Sequence, residues 1–102
     1  MLACGMRVIA IGTLREFWRK HADAEVPLRA WFAEASRAQW RTPAEIKASH
    51  RNASFLANNR VVFNIKGNNY RLIVAVQYTH GILYIRFVGT HREYDKIDAA
   101  TI

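Results

Sequence analysis

Apolar side chains recur at every second position over residues 61–65, and this period of two predicts a half-buried β-strand. Residues 70–77 are apolar at nearly every position and rich in β-branched and aromatic types. That composition predicts a central strand covered on both faces. Alternation returns over residues 82–88 after a short connection. The pattern therefore predicts three consecutive antiparallel strands.

The first two strands are separated by Gly67-Asn68-Asn69, three residue types that tolerate positive φ and favour a hairpin turn. We expect Lys66 and Arg71 to flank this turn as a cross-strand pair. In that register Asn64, Lys66 and Arg71 share one face of the sheet, whereas a slip of one residue would separate them.

Three helices are predicted before these strands. The spacing of Thr13 and Glu16 is that of a capping box and predicts a short helix, and Thr42 and Glu45 repeat it with proline at the first helical position. Between them, an apolar stripe with helical spacing predicts a second helix that packs on the sheet. The stripe consists of Leu28, Trp31, Phe32 and Ala35.

Two further segments complete the predicted fold. Residues 7–11 form a short apolar run that predicts an added strand at an edge of the sheet, and residues 51–59 are polar and typical of a loop. We therefore expect an α+β fold, a compact domain with two or three N-terminal helices packed on a mainly antiparallel sheet. One domain is expected over residues 1–102, with residues 1–5 as a flexible leader.

The charge of the chain favours polyanionic partners, because 15 Lys and Arg residues against 8 Asp and Glu residues give a net charge of +7. Cys4 is the single cysteine, so we expect no disulfide framework and a reducing compartment. No apolar run has the length of a membrane span, and the N-terminus lacks a signal-peptide layout. We expect the protein in the cytoplasm, without a membrane partner.

Several classes of site are disfavoured by the sequence. The four histidines are scattered and lack the spacing of metal ligands, so we expect no metal. A phosphate-binding glycine-rich loop is missing, and no serine or cysteine lies in a recognisable nucleophile motif. We therefore expect chemistry without a cofactor.

The candidate residues are cationic and aromatic and lie on or just beyond the predicted strands. They suit RNA cleavage without a metal, in which a 2′-hydroxyl loses a proton, the phosphorane charge is stabilised and the 5′-oxygen gains a proton. Arginine and lysine supply charge, histidine transfers protons near neutral pH, and tyrosine can stack on a base. The residues are Lys66, Arg71, Arg86, His91, Arg92, Tyr94 and Lys96.

Each of these residues has a structural alternative. Arg86 and Arg92 are explained equally by solvated charges or ion pairs, and Tyr94 by packing of its ring on the core. Lys96 lies beside Asp95, so local charge balance accounts for it. The alternative function is a non-catalytic RNA- or ribosome-binding module that uses the same basic face.

Two motifs, FNIKGNNYRLIVAV and YIRFVGTHREYDKID, resemble the HigB-type toxins of bacterial type II toxin–antitoxin systems, a branch of the RelE-like superfamily. The similarity extends over the chain from Met6 to the C-terminus. It implies a RelE-like domain that cuts mRNA in the ribosomal A site and thereby inhibits translation. It also implies a cognate helix-turn-helix antitoxin, HigA-like, and binding of operator DNA only through the antitoxin complex.

The resemblance also implies roles for particular residues. Lys66 matches a phosphate-binding lysine of the family and Arg71 matches the arginine of the following strand, while Asn64 stands where a second lysine is usual. The basic position after the last strand falls at His91 or Arg92. We favour His91 as acid or base, with Tyr94 beside it.

The remaining contacts to RNA are expected from Asn64, Arg86, Arg92 and Lys96.

Overall fold

The strand predicted to be central is the middle strand of a five-stranded sheet in the computed structural model, which describes residues 5–102. The strands, in chain order, are β1 (Arg7–Ile9), β2 (Ser54–Leu56), β3 (Arg60–Ile65), β4 (Tyr70–Gln77) and β5 (Ile82–Thr90). The helices are α1 (Ile11–Lys20), α2 (Glu25–Arg37), α3 (Pro43–Ser49) and α4 (His91–Tyr94), with a 3-10 turn over Ala22–Ala24.

The sheet has the order β1-β5-β4-β3-β2, and its strands are antiparallel except for β1, which runs parallel to β5. Three helices precede the meander and cover one face. The predicted α+β fold is therefore confirmed, as is the edge position of the first strand. Of the leader predicted for residues 1–5, residues 1–4, and with them Cys4, lie outside the described residues.

The helix-covered face of the sheet carries the larger core. The α2 stripe faces the sheet as predicted, because Leu28 and Ala35 are fully buried and the Trp31 ring meets the Phe63 ring edge to face at 5.4 Å. Leu14 and Phe17 of α1 join the same cluster. Burial of these apolar side chains is what joins the helices to the sheet.

The opposite face of the sheet is covered by the C-terminal segment. Ala99 and the partly buried Tyr94 pack with the buried Val62 and Ile73 of β3 and β4. The main-chain oxygen of Ile102 accepts hydrogen bonds from the Arg60 guanidinium at 2.7 and 3.2 Å. A central strand covered on both faces is thus confirmed, and the second cover comes from residues after the last strand.

The two predicted capping boxes have different outcomes. Thr42 and Glu45 form one, in which the Thr42 hydroxyl accepts from the Glu45 N–H and the Glu45 carboxylate accepts from the Thr42 N–H. The prediction at Thr13 is wrong, because α1 already begins at Ile11 and places Thr13 inside the helix. The strand before it enters the helix through Ala10, whose φ of +78° turns the chain.

Two predictions about the strands are also corrected. Asn64, and not Lys66, pairs with Arg71 across β3 and β4. Lys66 lies in the turn with a φ of +52°, so β3 ends one residue before it. The predicted loop 51–59 contains the edge strand β2, which pairs with the first half of β3. No helix within residues 5–102 is long and apolar enough to cross a membrane.

Candidate active site

Arg71, His91 and Tyr94 lie at one end of the sheet, where the β3–β4 turn meets the exit of β5. Tyr70 at the start of β4 pairs with Thr90 at the end of β5. The N–H of His91 donates to the Asn69 carbonyl at 3.3 Å, which ties the first residue of α4 to the turn. Residues from two distant parts of the predicted site are therefore neighbours.

Arg71 and Tyr94 lie side by side in the candidate site. The guanidinium carbon of Arg71 lies 5.8 Å from the centroid of the Tyr94 ring, within range of a cation–π interaction. Arg71 Nη1 also donates to the carbonyl of Asn68 at 3.0 Å. These contacts hold the guanidinium between the turn and α4, on the face of the sheet opposite α1 and α2.

Asn64 lies directly across from Arg71 and so belongs to the same end of the site. Its side-chain nitrogen is 3.5 Å from the Asn68 side-chain oxygen. The shared face that the sequence predicted for Asn64 and Arg71 is present in the register of the strands.

The short helix α4 presents His91 and Tyr94. Thr90 and Glu93 form a capping box, in which the Thr90 hydroxyl accepts from the Glu93 N–H at 3.1 Å and the Glu93 carboxylate accepts from the Thr90 N–H at 2.8 Å. This cap fixes where the helix begins and therefore where its first side chain projects. Thr90-x-x-Glu93 has the spacing of a capping box, but neither the helix nor its cap was predicted.

His91 is half exposed and its ring is oriented by a carboxylate. Nδ1 lies 3.2 Å from Asp95 Oδ2, one turn further along the chain. Because Nδ1 faces Asp95, Nε2 is the ring nitrogen that can exchange a proton with a ligand. Asp95 was not predicted to take part in the site.

The Lys66 side chain contacts Asp23, whereas the Arg71 side chain contacts Asn68 and Tyr94. Its Nζ lies 2.8 Å from Asp23 Oδ2, and the Tyr70 hydroxyl donates to Asp23 Oδ1. The Lys66 ammonium, followed by the Tyr70 hydroxyl, holds the pKa of the Asp23 carboxyl below its usual range. Donation to Asp23, and then burial, raises the pKa of the Tyr70 phenol. Asp23 and Tyr70 were both missed, since no local spacing relates Asp23 to a turn so far along the chain.

The other predicted RNA contacts are more dispersed. Arg86 lies beside the irregularity in the β4–β5 pairing, where Nε donates to the Ile102 oxygen at 3.2 Å, away from Arg71 and its partner Gly89. Arg92 and Lys96 are exposed, and in the described part of the chain neither is within salt-bridge distance of a carboxylate. Within residues 5–102, no three His, Cys, Asp or Glu side chains form a group that could hold a metal ion.

This end of the sheet is suited to an anionic ligand. The Arg71 guanidinium can offer paired donors to two phosphate oxygens, and the Lys66 ammonium can add a point charge. His91 can exchange a proton, and the Tyr94 ring can stack on a base.

Comparison with known proteins gives a family and several relatives. The profile of the HigB toxin family, described as the RelE-like toxic component of a toxin–antitoxin system, matches residues 24–97. The "mRNA interferase toxin HigB" of Escherichia coli K12 is 30% identical over 97 residues, which cover 92% of each chain. The "mRNA interferase HigB" of Escherichia coli O6:H1 is 24% identical over 94 residues, 90% of this chain and 91% of the relative. A Shigella flexneri protein of the same name is 30% identical over 97 residues.

Proposed function

The chain belongs to the HigB family of RelE-like toxins of toxin–antitoxin systems, and from this premise we propose that it inhibits translation by cutting mRNA on the ribosome. It is an endoribonuclease that acts on mRNA, as the names of its relatives indicate for those proteins. The observation that carries this function is the joining of Arg71, His91 and Tyr94 at one end of the sheet.

The proposed reaction is transfer of the phosphate within the RNA chain. The 2′-oxygen attacks the adjacent phosphorus while a base removes its proton, and the bond to the 5′-oxygen breaks as an acid protonates that oxygen. Negative charge accumulates on the non-bridging oxygens in the transition state. Cationic donors that are already in place stabilise this charge more than the charge of the ground state.

The roles of Arg71 and His91 follow from their contacts, and those of Tyr94 and Lys66 follow from the family motifs. Arg71 binds the scissile phosphate, since its guanidinium is held by the Asn68 carbonyl and the Tyr94 ring. His91 transfers a proton through Nε2 while Asp95 holds Nδ1. Tyr94 stacks on a base or assists proton transfer, and Lys66 contributes charge to the phosphate.

The RNA is expected to continue across a wider basic surface. Asn64 lies beside Arg71, whereas Arg92 and Lys96 lie on and just after α4 and are exposed to a passing strand. Arg86 binds the Ile102 oxygen, so we assign it a peripheral contact with RNA rather than one at the phosphate.

The partners follow from membership of the family. An antitoxin is part of the system to which this toxin belongs. We propose that it is a HigA-like helix-turn-helix protein that neutralises the toxin, and that operator DNA is bound only by their complex. Because the substrate is mRNA under translation, the site of action is the cytoplasm. We also propose that residues 1–102 act as one toxin domain.

Expression in a bacterial host tests this function. Induction of the chain alone should stop growth and incorporation of amino acids, and co-expression of the cognate antitoxin should restore both. In a purified translation system, mRNA should be cut when ribosomes are present. Growth arrest with intact mRNA, together with ribosome binding that weakens with salt, would contradict the nuclease and support the non-catalytic binding module.

A further inference from the structure

Asp23 is held on both of its carboxylate oxygens. Lys66 Nζ lies 2.8 Å from Oδ2, and the Tyr70 hydroxyl donates to Oδ1. Asp23 belongs to the 3-10 turn Ala22–Ala24 between α1 and α2, whereas Lys66 belongs to the β3–β4 turn. The carboxylate therefore joins the helical layer to the β3–β4 turn, whose Asn69 carbonyl accepts from the N–H of His91.

Tyr70 gives Asp23 a rigid anchor. Its side chain is buried at the start of β4, and its ring meets the Phe17 ring edge to face at 5.1 Å. The ring of His21 lies 5.6 Å from it on the same side. Because the Tyr70 ring is packed on Phe17, its hydroxyl holds the Asp23 carboxylate in a defined position relative to the sheet.

Lys66 has an uncommon backbone conformation for a lysine. Its φ of +52° lies in the left-handed region, where glycine is favoured and lysine is uncommon. A lysine in a glycine-like position is a reason to look for a function of the side chain. With one N–H on Asp23, the ammonium keeps two donors for other acceptors.

We propose that Asp23 is a positioning residue that fixes the Lys66 ammonium for contact with the scissile phosphate, an inference that rests on the mRNA cleavage proposed above. Lys66 has a flexible four-carbon side chain, and Asp23 removes much of that freedom before the substrate arrives. The opposite role is a mask, in which Asp23 competes with the phosphate for Lys66 and must be displaced.

The two roles predict opposite changes in the rate of cleavage. Neutralising Asp23 removes a negative charge beside a site for a polyanion, so binding of RNA should be unchanged or tighter. If Asp23 positions Lys66, the chemical step should nevertheless be slower, because orientation is lost. A slower maximal rate together with unweakened binding is a combination that general loss of structure does not produce.

The experiment measures single-turnover cleavage of a defined mRNA on translating ribosomes over a range of toxin concentrations. For Asp23→Asn the maximal rate should fall about 10- to 100-fold, with the half-saturating concentration unchanged or lower. Tyr70→Phe, which keeps the ring and removes the hydroxyl, should give a smaller fall in the same direction. Glu25→Gln is the matched control, since it neutralises an exposed carboxylate nearby that pairs with Arg29.

A double substitution tests whether Asp23 acts through Lys66. Asp23→Asn should slow cleavage in the wild-type background but cause no further slowing in Lys66→Ala, because the ammonium that Asp23 positions is then absent. Asparagine can still accept from the Tyr70 hydroxyl, so the fold is retained, and Tyr70→Phe carries the test if Asp23→Asn fails to fold.

The outcomes separate this inference from the function on which it rests. Cleavage by Asp23→Asn at the wild-type rate or faster would overturn the positioning role, and a faster rate would identify the mask. No cleavage by the wild type would overturn the proposed function and the inference with it. If Glu25→Gln slowed cleavage as much as Asp23→Asn, the positioning role of Asp23 would also be overturned, since a general effect of charge would then account for the result.

Discussion

The guanidinium of Arg71 lies over the ring of Tyr94, with 5.8 Å between the guanidinium carbon and the ring centroid. The arginine comes from the central strand β4, and the tyrosine from the last residue of α4. Packing of α4 and the C-terminal segment on the sheet brings them together, so the placement of the guanidinium and of the aromatic ring depends on one local structure. Substitutions that disturb α4 should therefore affect cleavage without disturbing the larger core between the helices and the sheet.

Replacement of Arg71 should reduce cleavage strongly. Arg71→Ala should cost about 2 to 4 kcal/mol in the chemical step, by analogy with the loss of an oxyanion donor. Arg71→Lys should recover only part of this, because an ammonium lacks the paired donors of a guanidinium. Single-turnover rates on ribosomes measure both.

Arg37→Ala is the control for charge, since it removes an exposed arginine from the C-terminal end of α2. Equal slowing by Arg37→Ala and Arg71→Ala would show that net charge, and not the site, sets the rate.

The Asp95 carboxylate should matter through His91. Asp95→Asn weakens the contact with Nδ1 and should lower the maximal rate about tenfold, less than His91→Ala, because the ring is retained but less well oriented. Asp98→Asn, an exposed carboxylate in the same segment, should cleave at the wild-type rate. A wild-type rate for Asp95→Asn would remove Asp95 from the site.

The two capping boxes offer a matched pair of substitutions. Thr90→Ala and Thr42→Ala each remove a hydroxyl that accepts from the third residue of a helix, and each should destabilise its helix by about 1 kcal/mol. Only Thr90→Ala should slow cleavage, because α4 carries His91 and Tyr94. Thermal unfolding and cleavage rates should be measured for both variants. Equal cleavage rates for Thr90→Ala and Thr42→Ala would show that the α4 cap does not affect the site.

The ionisation of Asp23 should make part of the stability depend on pH. Its pKa in the fold is below the ordinary value of 3.8, chiefly because the carboxylate accepts from Lys66. A lowered folded pKa stabilises the protein at pH values above the unfolded pKa, and this contribution is lost as pH falls through the folded value. The stability of the wild type relative to Asp23→Asn should thus be constant near neutral pH and decline below about pH 4.

Urea unfolding of the wild type and Asp23→Asn over this pH range gives the difference in their free energies of unfolding. A difference that does not change down to pH values well below 4 would contradict the lowered pKa.

Lys66→Gly should separate stability from activity. Glycine adopts the positive φ freely, whereas other residues lose about 1 kcal/mol or more there, and an ion pair between exposed side chains contributes little. The variant should therefore be at least as stable as the wild type, yet cleave more slowly. A marked fall in unfolding temperature would show that the ion pair outweighs the backbone strain.

Local patterns in the sequence predicted most of the fold. Alternation over 61–65 and 82–88 and the continuous apolar run over 70–77 identified the meander, and Thr42 with Glu45 identified the start of α3. The predicted register across the β3–β4 turn was wrong, because Ile65 and Tyr70 flank the turn instead of Lys66 and Arg71. The turn begins one residue earlier than predicted and includes Lys66, so the partner of Arg71 is Asn64. Residue types in the turn do not fix the residue at which it begins.

The candidate site follows less from local patterns in the sequence than the fold does. The family motifs located Arg71, His91 and Tyr94, and the structure places these residues at one end of the sheet. Asp23 could not be found from the sequence, since its contact with Lys66 depends on how the α1–α2 junction packs on the sheet. Likewise, nothing in the local pattern indicated that Arg86 binds the oxygen of Ile102.

The central claim, that this chain cuts mRNA with the site around His91, is tested most directly by mapping 5′ ends of cellular mRNA after a short induction. The wild type and His80→Ala, which changes a histidine in the turn at the other end of the sheet, should both produce new ends inside translated codons. His91→Ala should produce none. New ends of equal abundance with His91→Ala would contradict the assigned site, and growth arrest without new ends from the wild type would contradict the nuclease itself.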